Sequence, residues 1–258
     1  MIVLLAPAKQ IDMNRVGHVP FTSIPKFIVE AQHIMMEVST MRIESVAKSF
    51  HVSRQLALNT LNWAYSFNSP ESDFSPAIIA FNGVAFKPLN AFDFSNEDFL
   101  FAQSHLRIGS GCYGLLRPLD AIHAYRLEFL SHLDGFGKTM QDFWREKITS
   151  YLLDDLKLND NILINLASDE TFNAFDLAML QKSSKVVNVH FKKISVNGYH
   201  AVNSVLLKKL RGAMTRFIIK HRLQKVEELR FFESSEVTYN EDASDEFNIT
   251  FIQDGEDA

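Results

Sequence analysis

The chain of 258 residues contains one cysteine, Cys112, so it forms no disulfide within itself and fits a reducing compartment. Cys112 stands between Gly111 and Tyr113, where it reads as a small buried hydrophobe rather than a reactive thiol. No apolar run approaches the roughly 18 residues that a membrane span needs. The opening MIVLLAPAKQ is apolar for only a few residues and has no basic stretch before it, so it reads as a buried strand rather than a signal peptide. Internal repeats, a zinc-spaced Cys/His cluster, a P-loop and a GxGxxG run are also missing. These absences lead us to expect a soluble, cytoplasmic monomer with no membrane partner, no metal and no cofactor that the sequence names.

What is present is a large reserve of core. With 47% apolar residues, the chain can build one compact domain over 1–258. Its charge of −5 is unevenly spread: residues 233–258 carry nine acidic side chains and no basic one, which leaves 26 basic against 22 acidic residues elsewhere. Between residues 182 and 230 there are twelve Lys or Arg and only Glu227 and Glu228. Screening confines each charge to about 8 Å at physiological salt, so such a stretch can attract a polyanion on an acidic protein. A solvated face balanced by the acidic segment is the plainer alternative.

Patterning predicts an α/β fold, a mixed sheet wrapped by helices. Continuous apolar runs at 1–5, 77–81 (AIIAF) and 161–167 read as interior strands, and 185–194 as a further strand with a turn at Asn197-Gly198. Helical spacing marks 26–41, 93–105, 140–156 and 205–223, with Ser95 and Asp98 placed as a capping box. Residues 42–67 read as two helices joined at His51-Val52-Ser53, with Ser53 capping the second. This is a helix-hairpin-helix layout, in which backbone N–H groups meet phosphates, although the usual hairpin glycine is missing and an ordinary helical corner has the same pattern. Terminal strands are expected within 231–251, around an acidic turn.

Candidate chemistry concentrates at 101–128, FAQSHLRIGSGCYGLLRPLDAIHAYRLE, read as the end of a helix followed by a glycine-rich loop. Glycines let a backbone approach a ligand, and Arg beside carboxylate fixes a polar site, or only staples a loop. Polar residues just past buried strands, Lys9 and Asp12 after the first and Ser168, Asp169 and Glu170 after 161–167, are placed to face a crevice. For Ser168 and Asp169, helix capping is the simpler role.

Together these pieces resemble the YaaA family of bacterial peroxide-stress proteins. The resemblance is carried by PAK at 7–9 with Asp12, AFNG at 80–83, the FS-x-x-DF-x-FAQ-x-HLR run at 94–107 and SG-x-YG-x-LRPLD at 110–120. YRLE at 125–128, FW at 143–144, INLASDE at 164–170 and RGAM-x-RFII at 211–219 complete it. It implies a single α/β domain with a helix-hairpin-helix at 42–67, binding of duplex DNA, and protection from hydrogen peroxide by limiting iron-driven damage. The chain departs from the family pattern at Ala6 and Gln10, where Ser and Thr are common, and at Val84, Phe86 and Pro88, where Asp, Tyr and Gly are common. Those changes remove hydrogen-bonding groups and count against turnover.

The first functional expectation is a DNA-binding protein without sequence preference. Its phosphate contacts would be Lys9, Arg42, Lys48, Ser53, Arg54, Arg117, Arg126, Lys208, Lys209, Arg211 and Arg216. The alternative is a nucleotide- or nucleobase-handling enzyme with phosphate on Lys9, Arg117, Arg126 and Arg211. Asp169 or Glu170 would be its acid/base, and Asp12, Asp120, Tyr125, Glu128 and Ser168 would line the cleft. Iron held by Asp12, Asp120, Glu128, Asp169, Glu170 and His105 is a third option, but no paired Glu-x-x-His motif supports it.

Overall fold

The computed structural model describes residues 1–195 and 198–253. In chain order the strands are β1 (Ile2–Leu5), β2 (Ser75–Pro76), β3 (Leu106–Ser110), β4 (Gly114–Leu116), β5 (Ala121–Ile122), β6 (His132–Leu133), β7 (Lys138–Thr139), β8 (Ile162–Leu166), β9 (Lys185–Ser195), β10 (Gly198–Ala201), β11 (Thr238–Tyr239) and β12 (Asn248–Gln253). The α-helices are α1 (Ile28–Thr40), α2 (Ile43–Ser49), α3 (Arg54–Ser66), α4 (Ala77–Ala80), α5 (Phe86–Leu89), α6 (Asn96–His105), α7 (Met140–Lys157), α8 (Asp169–Phe172), α9 (Leu177–Ser183) and α10 (Ser204–His221).

Eight strands form the main sheet in the order β11-β12-β9-β8-β1-β3-β4, with β10 also paired to β9. The strands from β12 to β3 run parallel, and β4, β10 and β11 are antiparallel additions. β1 is buried at every position because parallel neighbours flank it on both sides, with Leu5 level with Ile108 of β3 and Leu166 of β8. Helices α6 and α10 pack together and against β1, while α7 packs against α9 and β4. No helix among the described residues is long and apolar enough to cross a membrane.

Two expectations require correction. The run AIIAF is not a strand: its first four residues form α4, fully buried, with Pro76 at its N-cap. An apolar run this short has no period to separate strand from helix, and proline at the entrance favours the helical turn. The segment after α6 is not all loop, since 106–110 is an interior strand and 114–116 its antiparallel partner. Its signal was hidden by Arg107, a buried cation within the strand whose Nε donates to Asp155 at 2.6 Å and whose Nη1 donates to the Gln103 and Leu106 carbonyls.

The capping box of Ser95 and Asp98 forms as expected. Ser53 caps α3 by accepting from Leu56 N–H, so α2 and α3 make the predicted corner. Nothing in that corner distinguishes a DNA hairpin from an ordinary helical one. The left-handed residue of its turn is His51, at φ 51°, and the Ser53 hydroxyl is engaged in the cap. The strand pair β9–β10 is formed, whereas Asn197 of the expected turn lies outside the described residues.

Candidate functional site

The chain leaves β1 on one side to build β3 and returns on the other side at β8. Loops diverge where a parallel sheet reverses direction in this way, and a crevice opens at the carboxyl ends of the strands. Here it is a cavity of about 540 Å³, lined by residues 5–10 after β1, 82–87, Gly111, 125–129, Leu166 and Ser168, Glu170 and Thr171, and Lys208 and Arg211 of α10. Two glycines set its walls. A Cβ on Gly111 would lie 2.6 Å from the Leu127 carbonyl oxygen, so the 110–114 turn can pass under the 125–129 segment only without one. A Cβ on Gly212 would collide with the Ala85 carbonyl, so this glycine lets α10 lie on the 82–87 wall and bring Lys208 and Arg211 to the cavity.

Helix α10 is capped by Asn203, whose side chain accepts from Val205 and Leu206 N–H, and it buries Leu210, Met214, Ile218 and Ile219. Arg211 lies beside that apolar stripe. Its Nε is buried without a hydrogen-bond partner, and among the described residues no hydrogen bond or ion pair reaches its guanidinium. Burial lowers its affinity for the proton below the ordinary arginine value, and Asp169 opposes this through space. Thr215, four residues on, does not share an open face with Arg211, because it is buried and its hydroxyl donates to the Arg211 carbonyl at 2.8 Å.

A second cationic group comes from the loops. Arg126 Nη1 donates to the Lys9 carbonyl and Nη2 to Glu128 Oε1, each at 2.7 Å, while Lys9 Nζ lies 2.6 Å from Glu128 Oε2. Arg126 Nε is buried with no partner. Glu170 Oε1 accepts the Phe129 N–H at 3.1 Å and so fastens the same loop to the start of α8, which Ser168 caps. The Tyr125 hydroxyl pairs with Ser110 Oγ at 2.7 Å, and burial raises its proton affinity well above that of a free phenol.

The structure therefore gathers Lys9, Arg126, Lys208 and Arg211 with Tyr125, Glu128, Ser168 and Glu170. Other expected residues lie elsewhere. Arg117 and Asp120 form a clip, Asp120 accepting from Arg117 N–H, Nε and Nη2 and from Ser23 Oγ, that staples the 23–24 segment. Arg216 grips Asp93 through both carboxylate oxygens, at 2.8 and 2.7 Å. Asp169 is exposed outside the cavity lining, and Asp12 accepts from Asn14 N–H beside the loop. Lys209 is exposed on α10, and Arg42, Lys48, Ser53 and Arg54 are exposed on the α2–α3 corner, where Arg54 faces Glu44 at 3.5 Å. The expected phosphate contacts are thus divided among separate elements, and only some of them reach the cavity. Among the described residues none of the acidic segment lines the cavity; its strands β11 and β12 lie at the far side of the sheet, and its residues beyond 253 lie outside the described ones. Lys87 of α5, also on the cavity wall, carried no sequence signal; the Arg126–Glu128 pair had one, since i and i+2 share a face of extended chain.

A family model described as Peroxide stress protein YaaA matches residues 1–243. The chain belongs to the YaaA family. A UPF0246 protein of Bacteroides thetaiotaomicron is 38% identical over 253 residues, covering 98% of each chain. Another from Bacteroides fragilis is 37% identical, over 97% of this chain and 98% of its own, and one from Clostridium botulinum is 34% identical over the same shares. Of the departures from the YaaA pattern, Ala6, Gln10, Val84 and Phe86 all line the cavity and Pro88 does not. This YaaA-family cavity therefore combines cations with an apolar stretch of wall at Ala6, Val84 and Phe86. Among the described residues no group of three His, Cys, Asp or Glu is placed to hold a metal ion; His105, for one, has Nδ1 2.9 Å from the Met1 carbonyl.

Proposed function

We propose that this YaaA-family protein serves the peroxide response by binding phosphate in the cleft, with a nucleotide unit, free or within a nucleic-acid strand, as the ligand. The observation that carries the reading is Arg211, a largely buried guanidinium with no protein anion or acceptor bonded to it. An unpaired buried donor costs about 1–3 kcal/mol, and a guanidinium fork matches phosphate oxygens, so a phosphate is the group that best satisfies it. Lys208 and Lys87 reinforce the positive field, and about 540 Å³ suits a nucleotide-sized ligand. Ala6, Val84 and Phe86 offer an apolar wall to a base, and the lining carboxylates are engaged, Glu170 by the Phe129 N–H and Glu128 by Arg126 and Lys9, which favours binding over turnover. Protection from iron-driven damage is then exercised at the nucleic acid rather than by ligating iron. Calorimetric titration of the protein with nucleotides and short single strands tests this: Arg211→Met should weaken binding at least about tenfold, and binding indifferent to Arg211 contradicts it.

A second reading, contact with duplex DNA at the α2–α3 corner, is favoured by Arg42 and Lys48, both exposed and without an ion pair among the described residues. Each true phosphate contact there should reduce the salt slope of duplex binding by about 1 when replaced by alanine. If Arg42→Ala and Lys48→Ala leave that slope unchanged, the corner takes no part.

A further inference from the structure

Among the described residues three buried side-chain polar atoms have no hydrogen-bond partner, and two of them are the Nε atoms of the cleft arginines, Arg126 and Arg211. The two arginines differ in one respect. Arg211 faces no bonded anion, whereas Arg126 is already occupied by Glu128, which Lys9 holds from the other side. Glu128 uses only Nη2 of the Arg126 side-on edge and leaves Nε, the other half of that fork, unmet. A carboxylate that also serves Lys9 has one oxygen for each cation, Oε1 for Arg126 and Oε2 for Lys9. A terminal phosphate, a monoester, has three free oxygens and can fill the Nε and Nη2 positions together while keeping one for Lys9.

Resting on the phosphate-binding reading above, we propose that Glu128 is an internal counter-anion standing in a second phosphate position. The ligand class is then a nucleotide unit with two separated phosphates, such as a nucleoside bisphosphate or a strand end whose terminal phosphate takes the second position. One phosphate pairs with Lys208 and Arg211. The other displaces the Glu128 carboxylate from Lys9 and Arg126. The two cation pairs come from different elements, α10 and the loops at 9 and 126, and no hydrogen bond or ion pair joins them among the described residues. The displacement needs only a side-chain rotation, because the Glu128 backbone is fixed separately: its N–H donates to Ser131 Oγ and its carbonyl accepts the Ser131 N–H. It is an exchange of one anion for another, with no covalent step. By occupying both cations, Glu128 competes with the second phosphate and so lowers the affinity for ligands that carry two.

The test is calorimetric titration of the full chain, as wild type, Glu128→Gln and Lys9→Gln, with inorganic phosphate, adenosine 5′-monophosphate and adenosine 3′,5′-bisphosphate. Glutamine keeps an acceptor for Arg126 but loses the charge, and Lys9 is largely exposed, so both variants should retain the wild-type melting temperature. Removing an internal competitor raises apparent affinity by the fraction of sites it had blocked, so Glu128→Gln should bind the bisphosphate about tenfold tighter while monophosphate affinity changes less than about twofold. Lys9→Gln should erase the advantage of bisphosphate over monophosphate. Equal gains for both nucleotides in Glu128→Gln, or no gain for the bisphosphate, overturn the proposal. If monophosphate binds in an Arg211-dependent way with no Glu128 effect, the phosphate reading survives and only the second position is lost; if no probe binds any variant, both fall.

Discussion

The two halves of α10 carry the same kind of charge in opposite states. In the second half and at its C-cap every strong cation has a partner: Arg216 grips Asp93, Lys220 lies 2.8 Å from Asp98, and the C-cap Arg222 approaches the same carboxylate at 3.4 Å. In the first half Lys208, Lys209 and Arg211 have no ion pair among the described residues, and Arg211 is largely buried as well. The paired half joins α10 to α6 and the turn before it and so belongs to the fold. From the unpaired half Lys208 and Arg211 reach the cleft, and the largely buried Arg211 stores a local cost that a ligand can relieve. Counting lysines and arginines in the sequence cannot separate these roles, because the deciding feature is the carboxylate supplied by a segment more than a hundred residues away.

The largest expected effect comes from breaking the paired half. Asp98 is buried, caps α6 with Ser95, and receives Lys220 and Arg222, so Asp98→Ala should lower unfolding free energy by about 3 kcal/mol in denaturant titration. The same carboxylate sets an acid limit. Burial alone would raise its pKa, but the Lys220 hydrogen bond, the Ser95 N–H and the charges of Lys220 and Arg222 together hold it below the ordinary aspartate value. Its contribution is therefore complete above about pH 4 and is lost as pH falls through the depressed value, and Asp98→Asn should flatten that part of the stability profile. Next in size, Gly212→Ala should cost about 2 kcal/mol and weaken phosphate binding, since the new methyl pushes α10 off the Ala85 carbonyl. Arg216→Met should cost about 1 kcal/mol, because the Asp93 side of its pair is half exposed and screened. Lys209→Ala, exposed and outside the cleft, should stay within about 0.5 kcal/mol and leave binding unchanged.

Much of the frame was readable in the sequence. The apolar runs at β1 and β8, the helical period of α1, α7 and α10, and the caps at Ser53, Ser95 and Ser168 all signal themselves locally. The misreadings have local causes too. Four apolar residues in α4 carry no period, and β3 contains an arginine whose neutralising Asp155 lies 48 positions away. Of the cleft, Lys9, Arg126, Glu128, Ser168 and Arg211 could be nominated because they follow strands or stand among family motifs. Their grouping could not be read, since it depends on the reversal of strand order at β1 and on close approaches at Gly111 and Gly212. The same limit explains why Arg117 and Asp120, equally promising on paper, belong to a clip.

The central claim is that Arg211 is left unpaired for a phosphate. Thermal unfolding of wild type and Arg211→Met, each with and without a nucleotide, tests it most directly. The account predicts that without ligand the variant is as stable as wild type or more so, by up to about 1 kcal/mol, and that the ligand raises the melting temperature of wild type alone. A variant that is destabilised without ligand yet keeps the full ligand-induced rise would contradict it.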